Sequence, residues 1–170
     1  MTPLLVPVPD AAELVPVEEP GVLLALRVPP EDQESGDVGV VVADRPLPGK
    51  PGAGQPVLAG LHSWLVRRTS AAGQVELVPT PCGPAVAAVD RLPSADGPVT
   101  TAQAVLPRGD RVLHVSAAAP GEQPARVAAL VAGLLAGLRE EEPALVRTGS
   151  GAAPGRCTPA AGGRSSSPGR

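Results

Sequence analysis

Two spacings of apolar positions alternate along the chain, and each predicts a different element. Short apolar runs, or alternation with a period of two, recur at Val22-Leu23-Leu24-Ala25-Leu26-Arg27-Val28, at residues 37–44 with Val38, Val40, Val41 and Val42, and at 75–78, 85–89, 99–106 and 111–117. Runs rich in β-branched residues suit a pleated, half-buried surface, so these segments predict strands. Residues 3–8 and 14–17 read as further short strands. Their prolines cannot donate a ladder hydrogen bond, which puts them at a sheet edge. Pro79-Thr80-Pro81-Cys82-Gly83-Pro84 and Pro107-Arg108-Gly109-Asp110 read as hairpin turns.

The period changes to helical twice. From about Gln55 to Thr69, Val57, Leu61, Trp64, Leu65 and Arg68 fall on one side, Pro56 suits the first turn, and Arg67 and Arg68 suit the negative end of the dipole. From about Gln123 to Arg139, Val127, Leu130, Val131, Leu134, Leu135 and Leu138 form one broad stripe. Gly133 and Gly137 cost that second helix roughly 1 kcal/mol each against Ala, which six buried aliphatic side chains easily outweigh. Such glycines suit a close backbone approach to the sheet. The expected fold class is therefore α+β. An antiparallel sheet of about six or seven strands, with an N-terminal β-hairpin, is covered by helices near 55–69 and 123–139.

Composition sharpens the picture at the C-terminus. Of 170 residues, 20 are Gly and 23 are Pro, and they crowd residues 143–170 beside Ser and Ala runs. That segment also carries Arg147, Arg156, Arg164 and Arg170 and no acid, so the body before it is more acidic than the net charge of −3 for the whole chain. The expected organisation is one domain over 1–142 and a disordered tail over 143–170. An acidic body argues against nucleic-acid binding, which needs phosphate neutralisation. No apolar run approaches the length of a membrane span, and Met1 to Pro7 lack the basic and long apolar regions of a signal peptide. A cytoplasmic location is the default reading. Ile, Asn, Phe and Tyr are absent, so the core is built from Val, Leu and Ala around one aromatic, Trp64.

Candidate chemistry is sparse. Gly49-Lys50-Pro51-Gly52-Ala53-Gly54 precedes a helix, but Lys50 comes too early and Pro51 removes a donor, so the phosphate-loop pattern fails. His62 and His114 are the only histidines, too few for a zinc site unless carboxylates complete it. Cys82 and Cys157 do not make a disulfide framework, and no histidine is placed beside Cys82 to activate it. Ser63 and Ser116 lack a nucleophile-elbow context. Glu140-Glu141-Glu142 reads as a solvated helix end, and Ser165-Ser166-Ser167-Pro168 as part of the tail. No catalytic, cofactor-binding or metal residues are assigned, and no cofactor is expected.

Val8-Pro9-Asp10 near the start, the hairpin Gln103-Ala104-Val105-Leu106-Pro107-Arg108-Gly109-Asp110-Arg111-Val112, and Ala119-Pro120 leading to a helix that ends Gly137-Leu138-Arg139 share a pattern. Together with the order of elements over roughly 3 to 139, they resemble the PsbP/LpqN-like superfamily, which also includes a Ran-GTPase-binding factor. Bacterial members often carry Gly-Trp after the early Pro-Asp, where this chain has Ala11-Ala12, and many are exported lipoproteins. The resemblance implies an α/β/α sandwich and a partner-binding protein without catalytic residues. The resulting expectation is a non-enzymatic protein-interaction module, an accessory or chaperone-like adaptor of a secretion system or another protein complex, with its protein partner and oligomeric state unknown. The alternative is a small enzyme or small-molecule binder using a pocket between helix 55–69 and the sheet, with Trp64, His62 or His114 at its mouth.

Overall fold

The computed structural model describes residues 4–30, 36–48, 56–70 and 73–140. The Gly49–Gly54 loop, Lys50, Glu141, Glu142, Cys157, Ser165–Ser167 and the whole 143–170 tail lie outside the described residues. The elements in chain order are β1 (Leu4–Leu5), β2 (Glu13–Leu14), β3 (Val22–Val28), β4 (Val38–Pro46), α1 (Val57–Val66), β5 (Gln74–Thr80), β6 (Gly83–Leu92), β7 (Val99–Arg108), β8 (Arg111–Pro120), α2 (Pro124–Gly137) and β9 (Arg139–Glu140).

Seven strands form one sheet in the order β2-β3-β4-β8-β7-β6-β5, every neighbouring pair antiparallel. After β4 the chain crosses through α1 to the far edge, and β5, β6, β7 and β8 return as a meander that closes against β4. Two of the three connections in that meander are tight turns. Pro81 and Cys82 alone separate β5 from β6, and Gly109 and Asp110 alone separate β7 from β8, with Gly109 at φ 65°. A two-residue hairpin turn whose twist matches the strands needs positive φ, which glycine adopts without strain. The strands therefore run further towards their turns than the apolar runs alone indicate.

Alternation along the strands divides the core in two. Val38, Val40, Val42, Ala102, Ala104, Leu106, Leu113, Val115 and Ala117 face one side, where Val127, Val131, Leu134, Leu135 and Leu138 close over them. Val86, Ala88, Val105 and Val112 face the other side, against Leu61 and Leu65 of α1. Each valine or leucine side chain buried this completely contributes about 1.5–3 kcal/mol, an upper estimate because the unfolded chain is already partly compact. Every residue of the stripe expected on the second helix reaches this core, Leu130 at its margin.

Two expectations change. The second helix stops at Gly137, not Arg139: Leu138 turns extended (φ −58°, ψ 134°), and Arg139 and Glu140 pair with Leu5 and Leu4. In place of the expected N-terminal hairpin, the first strand pairs with β9, while β2 adds to the main sheet beside β3. The close approach that glycine allows is to this N-terminal segment: a Cβ at Gly137 would sit 2.4 Å from Pro7 Cγ, whereas Gly133 has nothing within 4 Å. Arg139 closes the helix end as its charge suggests, its Nη1 donating to the carbonyls of Ala136 (2.8 Å) and Leu138 (2.7 Å). Glu122, just before α2, is ion-paired with Arg91.

Candidate functional site

The two helices cover their faces unequally. α1 lies mainly over β6, β5 and β7 and reaches β8 through Val112 and His114, so the β4–β8 part of that face is covered less. Along its inner flank, where Trp64 and Arg68 overhang the sheet, a cleft of about 230 Å³ opens, lined by Arg45, Pro46, Pro48, Trp64, Arg68, Gln103, Val105, Val112 and His114. Two other hollows are less apt. One on the α2 side holds about 50 Å³, less than two waters at ~30 Å³ each. The other, about 430 Å³, is a wider depression at Arg91, Pro93, Ser94, Gly97 and Pro98, whose one charged group is already paired with Glu122.

Register places the sheet residues of the cleft. β4 and β8 pair with Ala43 opposite His114 and Arg45 opposite Val112, and β7 sets Val105 opposite His114. Val105, Val112 and His114 thus share the face under α1, and Gln103 follows by alternation. Asp90 sets α1 on that face. Its carboxylate, 6 % exposed, accepts from the Ser70 N–H (2.7 Å), the Ser70 hydroxyl and the Arg91 N–H (2.7 Å). Burial pushes this carboxyl up, but the bonds from Ser70 and Arg91 outweigh it and hold it below the ordinary carboxylate value. At the helix end, Arg68 and Thr69 N–H both donate to Leu65 C=O (2.9 and 3.0 Å), which fixes where Arg68 emerges.

Trp64 and His114 meet edge to face, centroids 6.4 Å apart and planes at 87°, and the Arg68 guanidinium lies 4.9 Å from the Trp64 centroid. Arg45 donates to Glu19 (2.6 Å) at the outer rim. His114 is held below the ordinary histidine value, first by burial, then by the positive charges of Arg45 and Arg68. Its Nε2 is buried without a hydrogen-bond partner, and so is Thr101 Oγ1, further along β7 on the same face. An unpaired buried polar atom costs about 1–3 kcal/mol. The described lining contains no carboxylate, thiol or hydroxyl group, so what it offers is an apolar bed, two guanidinium groups, an amide and a neutral imidazole.

Of the residues singled out in the sequence, Trp64 and His114 come together at this cleft. His62 is half-buried on α1 but is not among the lining residues. Cys82 sits half-buried in the β5–β6 turn against the α2-side core, far from either histidine in the topology, and its N–H donates to Thr80 Oγ1 (3.2 Å). Ser63 is exposed on α1, and Ser116 is half-buried on the less covered part of the sheet. Among the described residues no three His, Cys, Asp or Glu side chains group as metal ligands. Arg45, Gln103 and Asp90 were not singled out beforehand. Asp90 carried one signal, an acid closing the apolar run Ala85-Val86-Ala87-Ala88-Val89.

No family model and no curated protein matches the chain. Among solved structures it is similar to LpqN of Mycobacterium tuberculosis, described as involved in cell envelope biogenesis: 16% identity, 78% of this chain and 79% of that one, TM-score 0.51. The likeness is one of fold, an LpqN-like α+β architecture. No helix among the described residues is long and apolar enough to cross a membrane.

Proposed function

We propose, from this LpqN-like fold and the cleft it carries, that the chain is a non-enzymatic binding module that holds a small molecule beside α1. One observation supports the reading above others. Beside α1, the sheet exposes an apolar bed bounded by an aromatic wall and two cations. Pockets of this make, mostly apolar with a few converging polar groups, are the usual form of a ligand site. The 230 Å³ volume limits the occupant to about eight water volumes at ~30 Å³ each, a compact molecule or the head of a larger one. LpqN's description is an association through fold and supports only the choice of the cell envelope as the first place to seek the natural ligand.

The test is a thermal-shift screen of compact molecules on the wild type and on Gln103→Trp, which fills the cleft. A ligand at a hundred times its Kd stabilises by about 2.7 kcal/mol. Hits that perturb Trp64 fluorescence and vanish in the filled variant are expected. Hits that persist there, or no stabilisation by any compound, would overturn the reading.

The adaptor reading keeps one observation of its own. Leu14, Val15, Val17 and Leu23 are 69, 42, 44 and 53 % exposed near the β2 edge of the sheet, and grouped exposed aliphatics mark docking surfaces. A protein partner captured by the wild type and lost by Leu14→Lys with Leu23→Lys is expected on that reading. A partner retained by the double variant would contradict it.

A further inference from the structure

The cleft's chemistry is one-sided. In a chain of net charge −3, its described lining carries two arginines and no acid. Glu19, the acid nearest to it in hydrogen-bond terms, is engaged with Arg45 outside the lining. Arg68 has no carboxylate partner among the described residues; its contact is the Trp64 ring. Trp64, Val105, Val112, Pro46 and Pro48 supply the apolar walls, and Gln103 an amide between them.

We infer that the cleft receives a compact organic acid, its carboxylate set against Arg68 and Arg45 and its apolar body against Trp64, Val105 and Val112. The inference rests on the proposed binding role of the cleft and names the ligand class for it. Three physical points carry it. Guanidinium groups match carboxylates with short, charge-assisted hydrogen bonds, and a partly enclosed site strengthens these relative to water. An ammonium ligand would meet two like charges with no acid in the described lining to receive it. A neutral alcohol would leave the Arg68 guanidinium, which no described carboxylate meets, without a counter-ion. Burial first, and then the positive charges of Arg45 and Arg68, disfavour protonation of His114, so an incoming anion meets a positive field there.

Trp64 is the only tryptophan in the chain, so the whole protein reports on its own cleft. The experiment titrates it with sodium cyclohexanecarboxylate, cyclohexylmethanol, cyclohexylmethylamine and sodium acetate at fixed ionic strength, reading tryptophan fluorescence. Saturable binding of the ring carboxylate is expected, with the alcohol, the amine and acetate each weaker by about tenfold or more, the factor one charge-assisted bond commands. Arg68→Gln, at an exposed position that leaves the core untouched, is expected to weaken the carboxylate about tenfold and leave the alcohol unchanged. Equal binding of alcohol and carboxylate, or tighter binding of the amine, would overturn the acid specificity while leaving a ligand-holding cleft. Acetate binding as well as the ring acid would overturn the apolar half. No response to any of the four would overturn both this inference and the binding role beneath it.

Discussion

Gly133 and Gly137 lie one helical turn apart on α2, yet alanine is expected to act on them with opposite sign. At Gly133 the added methyl meets nothing within 4 Å, so only propensity counts, and the variant is more stable by about 0.5–1 kcal/mol. At Gly137 the same methyl falls 2.4 Å from Pro7 Cγ and 3.0 Å from Pro7 Cβ. Ordinary contact begins near 3.4 Å, so the Pro7 ring must retreat by about an ångström. Pro7 continues from β1, which is held to β9 by just two residue pairs and carries Leu4 and Val6 against the margin of the core. Releasing it forfeits one or two ladder hydrogen bonds at about 0.5–1.5 kcal/mol each and part of the burial of two aliphatic side chains. The freed backbone recovers entropy of about 1–2 kcal/mol per residue. The net expectation is a loss of about 1 kcal/mol, so the two variants differ by about 2 kcal/mol. Urea unfolding at pH 7.5 measures this directly. In a Pro7→Ala background, which removes the nearest ring atoms, Gly137→Ala is expected to cost less, a coupling that a double-mutant cycle isolates. Equal stabilisation by both alanines, or no coupling to Pro7, would refute the seating of the N-terminal segment on α2.

Three further outcomes follow from the same structure. Leu61→Ala, in the smaller core beneath α1, is expected to destabilise by about 2–5 kcal/mol in urea melts, and a loss under 1 kcal/mol would deny that α1 is packed on the sheet. His114 is held below its ordinary value of 6.5 in the fold, so the unfolded chain takes up a proton that the native state refuses; stability is full well above pH 6.5 and falls as pH drops through it. The wild type is therefore expected to weaken between pH 7.5 and 5.5 and His114→Gln to weaken less, with equal slopes contradicting the burial of that ring. Asp90 shifts the other way for an acid, below 3.8, so its contribution is present above that pH and is lost as pH falls through the lower folded value; Asp90→Asn is expected to cost about 1–3 kcal/mol at pH 7 and to flatten the acid limb below pH 5, and an unchanged limb would count against it.

Local signals carried the strands, the turns and both helices, because each depends on neighbours in sequence. The α2 stripe from Val127 to Leu138 is a spacing of three and four, and Gly109 punctuates its hairpin whatever the rest of the chain does. The ends of elements were less legible. Leu138 and Arg139 look helical until β1 offers Arg139 and Glu140 a ladder to join, and that partner is more than 130 residues away. Sheet order hid the cleft for the same reason. Arg45 and His114 share a site only because β8, paired with β7 on one side, also pairs with the distant β4 on the other. Trp64 and His114 stood out as rare residue types, whereas Arg45 and Gln103 looked like ordinary surface positions. Asp90 shows how a core acid is read late: its worth lies in the Ser70 bonds, which the turn after α1 creates.

Collisional quenching of Trp64 tests the central claim, a locally positive cleft in an acidic chain, most directly. At constant ionic strength, iodide and caesium sample the same indole with opposite charge, and acrylamide samples it with none. The net charge of −3 alone would favour caesium. Instead iodide is expected to quench severalfold more strongly than caesium, with Arg68→Gln narrowing the gap and acrylamide quenching unchanged. Caesium quenching as strong as iodide, or an indole that acrylamide cannot reach, would contradict the account.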